Sequence, residues 1–117
     1  MITFIEYPKC STCKKAKQYL DTLNINYTSR HILEEKLNEN ELKALYKKSG
    51  LPLKRFFNTS GNKYKELNLK DKLPLMSESE QLALLATDGM LVKRPIVVSD
   101  DKIIVGFKMD EYEYLSK

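Results

Sequence analysis

Within its first 33 residues the sequence changes its hydrophobic period twice. Residues 2–7, ITFIEY, are mostly β-branched or aromatic and predict a short strand, which Pro8 ends because proline cannot donate to a strand ladder. The next residues predict a helix whose first turn Ser11 and Thr12 can cap. Its apolar face repeats at steps of three and four residues, through Cys13, Ala16, Leu20 and Leu23. Its solvent face carries Lys14, Lys15, Lys17 and Gln18.

Asn24 and Asn26 are typical of a helix exit, and residues 27–33, YTSRHIL, predict a second strand. Two strands joined through one helix are expected to pair in parallel. The chain therefore opens with a β-α-β unit. Its two cysteines, Cys10 and Cys13, lie where the first strand passes into the helix.

Residues from about 35 to 90 predict a block of helices. Asn38 and Glu41 form a capping-box pattern at the start of its first long helix, which Gly50 ends. The apolar face of this helix carries Leu42, Leu45 and Tyr46.

Ser77 and Glu80 repeat the capping pattern in a second long helix, which is expected to end at Gly89. Its inward residues are Leu82, Leu85 and Ala86. Between the two helices, residues 52–69 predict short helical turns around a loop at residues 58–61.

The C-terminal part predicts two more strands, at residues 95–99 (PIVVS) and 102–107 (KIIVGF), joined by a hairpin turn at Asp100 and Asp101. A short helix over residues 110–117 closes the chain. The element order β-α-β, helical insert, β-β-α predicts an α/β, thioredoxin-like (glutaredoxin-like) fold.

The whole chain, residues 1–117, is expected to be one domain, with a core of about 1–34 and 91–117 and the insert at about 35–90. No apolar run approaches the roughly 20 residues that span a bilayer, and no leader segment is apparent, so a cytoplasmic monomer without a membrane partner is expected. The net charge of +4 comes from well-mixed basic and acidic residues and does not indicate direct nucleic-acid binding.

The cysteine pair has three interpretations: a metal site, simple packing and a reactive thiol pair. Structural zinc needs about four ligands, and the sequence offers two cysteines and one histidine, His31, so no metal site is expected unless subunits share an ion. His31 itself reads as a half-exposed strand residue. Simple packing remains open for Cys13, which lies on the apolar helix face.

Cys10 favours the third interpretation, a reactive thiol. It lies at the N-terminus of a helix, where unpaired N–H groups and the helix dipole stabilise an anion. Lys9 and Lys14 add positive charge nearby and should lower the pKa of the thiol further. Cys13 lies one turn away, within reach to resolve a mixed disulfide. Pro95, at the start of a predicted strand, can adopt a cis peptide and face the cysteine loop.

Taken together, YPKCSTCKKAKQYL, the helical block, DGMLVKRPIVV and VGFK resemble the arsenate reductase and Spx family over nearly the whole chain. The resemblance implies a thioredoxin-like fold with a helical insert, a nucleophilic cysteine at Cys10 and a basic pocket around it. Because most arsenate reductases of this family lack a cysteine at the position of Cys13, its presence implies an internal disulfide.

The arsenate enzymes of the family hold the oxyanion with three arginines. By this resemblance, the sequence retains one of them, Arg94. The second falls on Asn58, with Arg55 one turn earlier as a substitute, and the third falls close to Lys108. Lysine offers a point charge where arginine offers a planar fork. The resemblance therefore implies a general thiol-disulfide oxidoreductase that takes electrons from glutathione or glutaredoxin, or works with thioredoxin, and needs no bound cofactor. Its expected substrates are a small thiol, a disulfide or an oxyanion.

The alternative that the resemblance implies is an Spx-like redox-sensing regulator that binds the α subunit of RNA polymerase. Those regulators carry the same cysteine pair and normally continue in a longer basic C-terminal segment, whereas this sequence ends at Lys117. Gly50 matches a glycine of their polymerase-contacting surface, but a helix C-cap explains it equally well.

Overall fold

The computed structural model describes residues 1–116. The chain divides into two compact units. The core unit comprises residues 1–31 and the chain from Arg94 onward, and the helical unit comprises Ile32–Lys93. The predicted insert, about residues 35–90, lies inside the helical unit. No helix within the described residues is long and apolar enough to cross a membrane.

The core unit contains one four-stranded sheet. Its strands are β1 (Thr3–Glu6), β2 (Thr28–His31), β3 (Ile96–Val98) and β4 (Ile103–Val105), in the order β2-β1-β3-β4. β1 and β2 are parallel, as the β-α-β pattern predicts, and the other two pairings are antiparallel. Helices α1 (Ser11–Thr22) and α6 (Met109–Tyr114) complete the unit. The predicted thioredoxin-like element order is confirmed.

The hydrophobic core of this unit follows from the strand register. Phe4 pairs with Val97, which pairs with Ile104, so these three side chains lie in one row across the sheet. They cluster with residues of the two helices, namely Ala16, Leu20 and Tyr112. The predicted helix face is confirmed, except that Leu23 is only half-buried.

The start of α1 differs from the prediction. Ser11 and Thr12 do not cap the helix: they are its exposed first residues, and Cys10 occupies the N-cap position without a side-chain capping hydrogen bond. Lys17 lies on the predicted solvent face with its side chain 43% exposed, and its Nζ lies 3.0 Å from a carboxylate oxygen of the buried Glu6. The carboxylate at the end of β1 needs a partner in the apolar interior, which the lysine provides.

The helical unit contains four α-helices, α2 (Glu39–Ser49), α3 (Asn62–Glu66), α4 (Leu69–Lys72) and α5 (Glu78–Thr87), with single 3₁₀ turns at Leu53–Phe56, Leu73–Leu75 and Gly89–Leu91. Both predicted capping boxes are present. The N–H of Glu41 donates to the Asn38 side chain at 2.8 Å, and the N–H of Glu80 donates to the Ser77 hydroxyl at 3.1 Å. Gly50 ends α2 in the left-handed region, with a φ of 70°.

Two helix ends are misplaced in the prediction. α5 ends at Thr87, and the Asp88 side chain accepts a hydrogen bond from the N–H of Met90 to start the next turn. Gly89 serves close packing instead, since a Cβ there would lie 2.6 Å from the carbonyl oxygen of Ile32. The last helix, predicted over residues 110–117, ends at Tyr114, and the predicted residue Lys117 lies outside the described residues.

Candidate active site: the cysteine turn

Cys10 lies in the turn that joins β1 to α1. Its N–H donates to the carbonyl oxygen of Tyr7 at 2.9 Å, and its own carbonyl accepts from the N–H of Lys14 at 3.1 Å, the first hydrogen bond of the helix. The side chain is half-buried, whereas the Cys13 side chain is fully buried one turn along. Both thiols are free. The turn thus presents one accessible sulfur and keeps a second behind it.

The pKa of the Cys10 thiol lies below its ordinary value. Burial raises this pKa, but the N–H of Cys13, the thiol of Cys13, the N–H of Thr12 and the charge of Arg94 all lower it and together prevail. The neutral thiol is not a helix cap, yet the same N–H groups stabilise the sulfur once it is ionised. Cys10 is therefore the thiol that ionises first.

The pKa of Cys13 moves the opposite way, to about 12. Burial is the largest cause, and the hydrogen bond to Cys10 and the negative charge of its sulfur raise the pKa further. A backbone hydrogen bond from Tyr7 and the charge of Arg94 lower it only in part. Cys13 therefore stays a neutral thiol that donates to the Cys10 sulfur.

Arg94 supplies the positive charge of the site. Its guanidinium carbon lies 5.4 Å from the ring centre of Tyr7, in cation–π geometry, and its Nε is buried. The Tyr7 ring in turn meets the half-buried His31 edge to face, with 6.0 Å between ring centres. The Arg94–Pro95 peptide is cis, an isomer that the sequence left open, and Pro95 is buried.

The sequence predicts that Lys9 and Lys14 lower the pKa of Cys10, and this role stays a prediction. Both lysines are exposed, and neither is among the groups that set the pKa of Cys10. A solvated ammonium on a long side chain interacts weakly with a neighbouring charge because water screens it. The half-buried guanidinium of Arg94 is less screened.

The other predicted anion-binding residues lie elsewhere. Lys108 is exposed at the start of α6. Arg55 and Asn58 belong to the helical unit, where Arg55 is exposed in a 3₁₀ turn and the N–H of Asn58 donates to the carbonyl of Leu91 at 2.8 Å. The Asn58 side chain accepts from the Ser60 hydroxyl at 3.4 Å. A role for these three residues in binding an anion stays a prediction.

Two residues of the site were missed in the sequence. Tyr7 carries both the carbonyl that fixes the Cys10 turn and the ring under Arg94. Burial raises the pKa of the Tyr112 phenol, and Cys13 lies close enough to raise it further when its thiol is ionised. The position of Tyr7 directly after a strand and three residues before Cys10 is a usable signal, whereas the contact of Tyr112 is long-range. Within residues 1–116 no cluster of three metal-ligating side chains forms.

Comparison with known proteins shows which family this chain is similar to. The ArsC family pattern matches residues 5–115. The chain is 58% identical to the Bacillus subtilis protein YusI over 96% of this chain and 95% of that protein. It is 32% identical to the global transcriptional regulator Spx of Staphylococcus epidermidis, over 95% of this chain and 83% of that protein.

A solved structure, the arsenate reductase from Vibrio cholerae, superimposes with a TM-score of 0.85 at 28% identity, covering 97% of this chain and 96% of that one. The match extends over both the core unit and the helical unit, which agrees with the fold expected from the sequence. The chain belongs to the ArsC family.

Proposed function

We propose that this protein is a thiol-disulfide oxidoreductase in which Cys10 is the nucleophile and Cys13 the resolving thiol. One observation carries the proposal: two hydrogen-bonded thiols have pKa values moved in opposite directions, below the ordinary value for Cys10 and up to about 12 for Cys13. Such a separation supports the two proposed roles, because the attacking group must be a thiolate and the resolving thiol must stay protonated until the mixed disulfide has formed.

In the first step the Cys10 thiolate attacks one sulfur of a disulfide R–S–S–R. The Cys10–sulfur bond forms as the substrate S–S bond breaks, and the leaving thiolate takes a proton from solvent. The charge on Cys10 is lost in this step. With it disappears one cause of the high pKa of Cys13, while the charge of Arg94 and the hydrogen bond from Tyr7 continue to lower that pKa.

In the second step Cys13 releases its proton to solvent and attacks the Cys10 sulfur. A Cys10–Cys13 disulfide forms, the mixed disulfide breaks, and the second RS⁻ leaves and is protonated. The substrate has gained two electrons from the protein and two protons from solvent, and Cys13 has returned one proton to solvent. Two glutathione molecules or one dithiol glutaredoxin would return the protein to the dithiol state by the same exchange in reverse.

The test measures turnover of the mixed disulfide between glutathione and 2-mercaptoethanol, with glutathione or glutaredoxin as donor. Cys10→Ser should reduce turnover to the level without protein, and Cys13→Ser should accumulate a mixed disulfide on Cys10 that mass spectrometry detects. Ser11→Ala is the matched control, since Ser11 is exposed and beside the nucleophile. Turnover that survives Cys10→Ser would contradict the proposal.

A second candidate function is supported by the 32% identity to the regulator Spx over 95% of the chain. On this alternative, the same disulfide would tune binding to the α subunit of RNA polymerase. No turnover with any donor, together with retention of the α subunit by only one redox state of the protein, would favour it over the enzyme. A reversible disulfide alone does not distinguish the two.

A further inference from the structure

Tyr112 of α6 is fully buried in the hydrophobic cluster of the core unit. Its hydroxyl donates a hydrogen bond to the carbonyl oxygen of Gly106 at 3.2 Å. Burial raises the pKa of this phenol, and negative charge on Cys13 and Glu111 raises the pKa further. The hydroxyl therefore keeps its proton, and remains a donor, over the range in which the Cys10 thiol titrates.

Gly106 is held on both sides of its α-carbon. Its carbonyl accepts from Tyr112, and its N–H donates to the carbonyl of Pro95 at 2.8 Å, one pair beyond the Ile96–Val105 pair of the β3–β4 ladder. Its φ of 88° lies in the left-handed region, where glycine is favoured because it has no Cβ. Gly106 thus connects the buried hydroxyl of α6 to the residue that directly follows Arg94.

Arg94 lies at the far end of this connection, next to the cysteine turn. Its guanidinium lies over the ring of Tyr7, and the carbonyl of Tyr7 accepts the hydrogen bond of the Cys10 N–H. An arginine side chain has many rotamers, so the position of its charge depends on where its backbone is anchored. The anchor on the C-terminal side is the Pro95–Gly106 hydrogen bond.

We propose that Tyr112 is a positioning residue, whose hydroxyl fixes the Gly106–Pro95 segment and so holds the Arg94 guanidinium over Tyr7 beside the cysteine turn. Tyr112 takes no part in proton transfer, because its proton is engaged by the Gly106 carbonyl. The inference goes beyond the proposed function in assigning a part of the control of Cys10 ionisation, the part that acts through Arg94, to a residue 102 positions away in the sequence. It rests on that function only in taking Cys10 as the reacting thiol.

The test is the pH dependence of Cys10 alkylation by iodoacetamide in the folded, reduced protein. Tyr112→Phe keeps the ring and removes the donor, so the Arg94 charge loses its fixed position. We expect the pKa of Cys10 to rise, by no more than Arg94→Gln raises it, and alkylation below that pKa to become up to roughly twofold slower, because only the thiolate reacts. No disulfide substrate is present, so the result does not depend on whether the protein turns one over.

Tyr19→Phe is the matched control. Tyr19 packs against Tyr112 in the same aromatic group, but its hydroxyl donates to the exposed Glu113 at 2.7 Å. We expect the pKa of Cys10 to be unchanged in this variant. If both variants raise it equally, a general loosening of the core explains the effect and the proposal is wrong.

A double-variant comparison separates positioning from packing. In an Arg94→Gln background there is no guanidinium to position, so adding Tyr112→Phe should leave the pKa of Cys10 where Arg94→Gln alone puts it. A shift that persists in this background would contradict the proposal. An unchanged Cys10 pKa in folded Tyr112→Phe would contradict it as well.

Two replacements of the tyrosine keep the test decisive if Tyr112→Phe does not fold. 4-Fluorophenylalanine at position 112 fills the volume of the hydroxyl without donating, and should reproduce the rise in the Cys10 pKa. 4-Aminophenylalanine restores an N–H donor at the same place and should return the Cys10 pKa to that of the unmodified protein. Failure of either result overturns the proposal.

Discussion

The starts of helices α2 and α5 in the helical unit contrast with the start of α1 in the core unit. α2 and α5 each have a complete capping box, from Asn38 with Glu41 and from Ser77 with Glu80. α1 has Cys10 at the equivalent position and no side-chain capping hydrogen bond. An N-cap residue satisfies N–H groups that would otherwise lack partners.

The difference shows which helix start leaves its backbone N–H groups free to stabilise a negative charge. At α2 and α5 neutral or already ionised side chains use the N–H groups permanently, which stabilises the fold. At α1 the N–H groups of Thr12 and Cys13 face a sulfur that they stabilise only when it is charged. A capped α1 would gain stability and lose the force that ionises Cys10.

The largest expected effect comes from converting α1 to the pattern of α2 and α5. Cys10→Ser should reduce disulfide turnover to the level without protein, while stability to urea rises by roughly 0.5–1 kcal/mol because serine is a good N-cap residue. Turnover and urea unfolding, measured on the same variant, check the expected loss of turnover and the expected gain in stability. A variant that loses stability would show that the start of α1 is not an open cap.

The reverse change removes the caps of the helical unit. Asn38→Ala and Ser77→Ala should each lower the free energy of unfolding by about 1 kcal/mol, because each leaves the helix start without its side-chain acceptor. Cys10→Ala is the matched variant and should change it much less, since the neutral thiol makes no capping bond. If urea unfolding shows the same loss of unfolding free energy in all three variants, the starts of α1, α2 and α5 do not differ in side-chain capping.

A smaller effect is expected at alkaline pH, from the raised pKa of Cys13. The unfolded thiol loses its proton near 9.0, whereas the folded thiol keeps it up to about 12, so the folded state binds more protons in this window. Stability should therefore fall with rising pH, by at most about 1.4 kcal/mol per pH unit for one proton. The tyrosines with raised pKa values add a loss of the same sign as the pH approaches 10.0, the value of the unfolded phenol, so the effect of Cys13 has to be measured against a variant that lacks it.

Cys13→Ala isolates this effect in urea-unfolding measurements at pH 8.5, 9.0, 9.5 and 10.0. The variant should show a flatter dependence on pH than the unmodified protein. A dependence identical in both proteins would mean that the pKa of Cys13 is not raised by folding.

The smallest expected effect separates the cations of the site. Arg94→Gln should raise the pKa of Cys10 by a few tenths, because the arginine charge is the last of the causes that lower it. Lys9→Gln and Lys14→Gln should leave it unchanged within error. Alkylation profiles of the three variants check this, and a larger shift from either lysine would restore the role that the sequence first suggested for them.

The elements of the fold were largely predictable because their signals are local. The capping boxes of α2 and α5, the C-cap at Gly50 and the alternation of β-rich runs are read within a few residues. The start of α1 was misjudged because Ser11 and Thr12 are better N-cap residues than Cys10, and the turn hydrogen bond from Cys10 to Tyr7 decides the position instead.

The site was less predictable because its electrostatics depend on residues distant in the sequence. The lysines around Cys10 were expected to lower its pKa, and the sequence does not show that both are exposed in the structure. Arg94, far from Cys10 in the sequence, is among the groups that lower its pKa, and Tyr112 of the last helix lies near Cys13. Only the tertiary fold brings these groups together.

The central claim is that one thiol of the pair ionises readily and the other does not. Differential alkylation tests it directly: the reduced protein is pulsed with iodoacetamide at a series of pH values, and mass spectrometry quantifies each cysteine. We expect Cys10 to react with a midpoint below the ordinary thiol value of 9.0, while Cys13 stays unmodified throughout the range in which the protein remains folded. Equal reactivity of the two cysteines, or a Cys10 midpoint at or above 9.0, would contradict it.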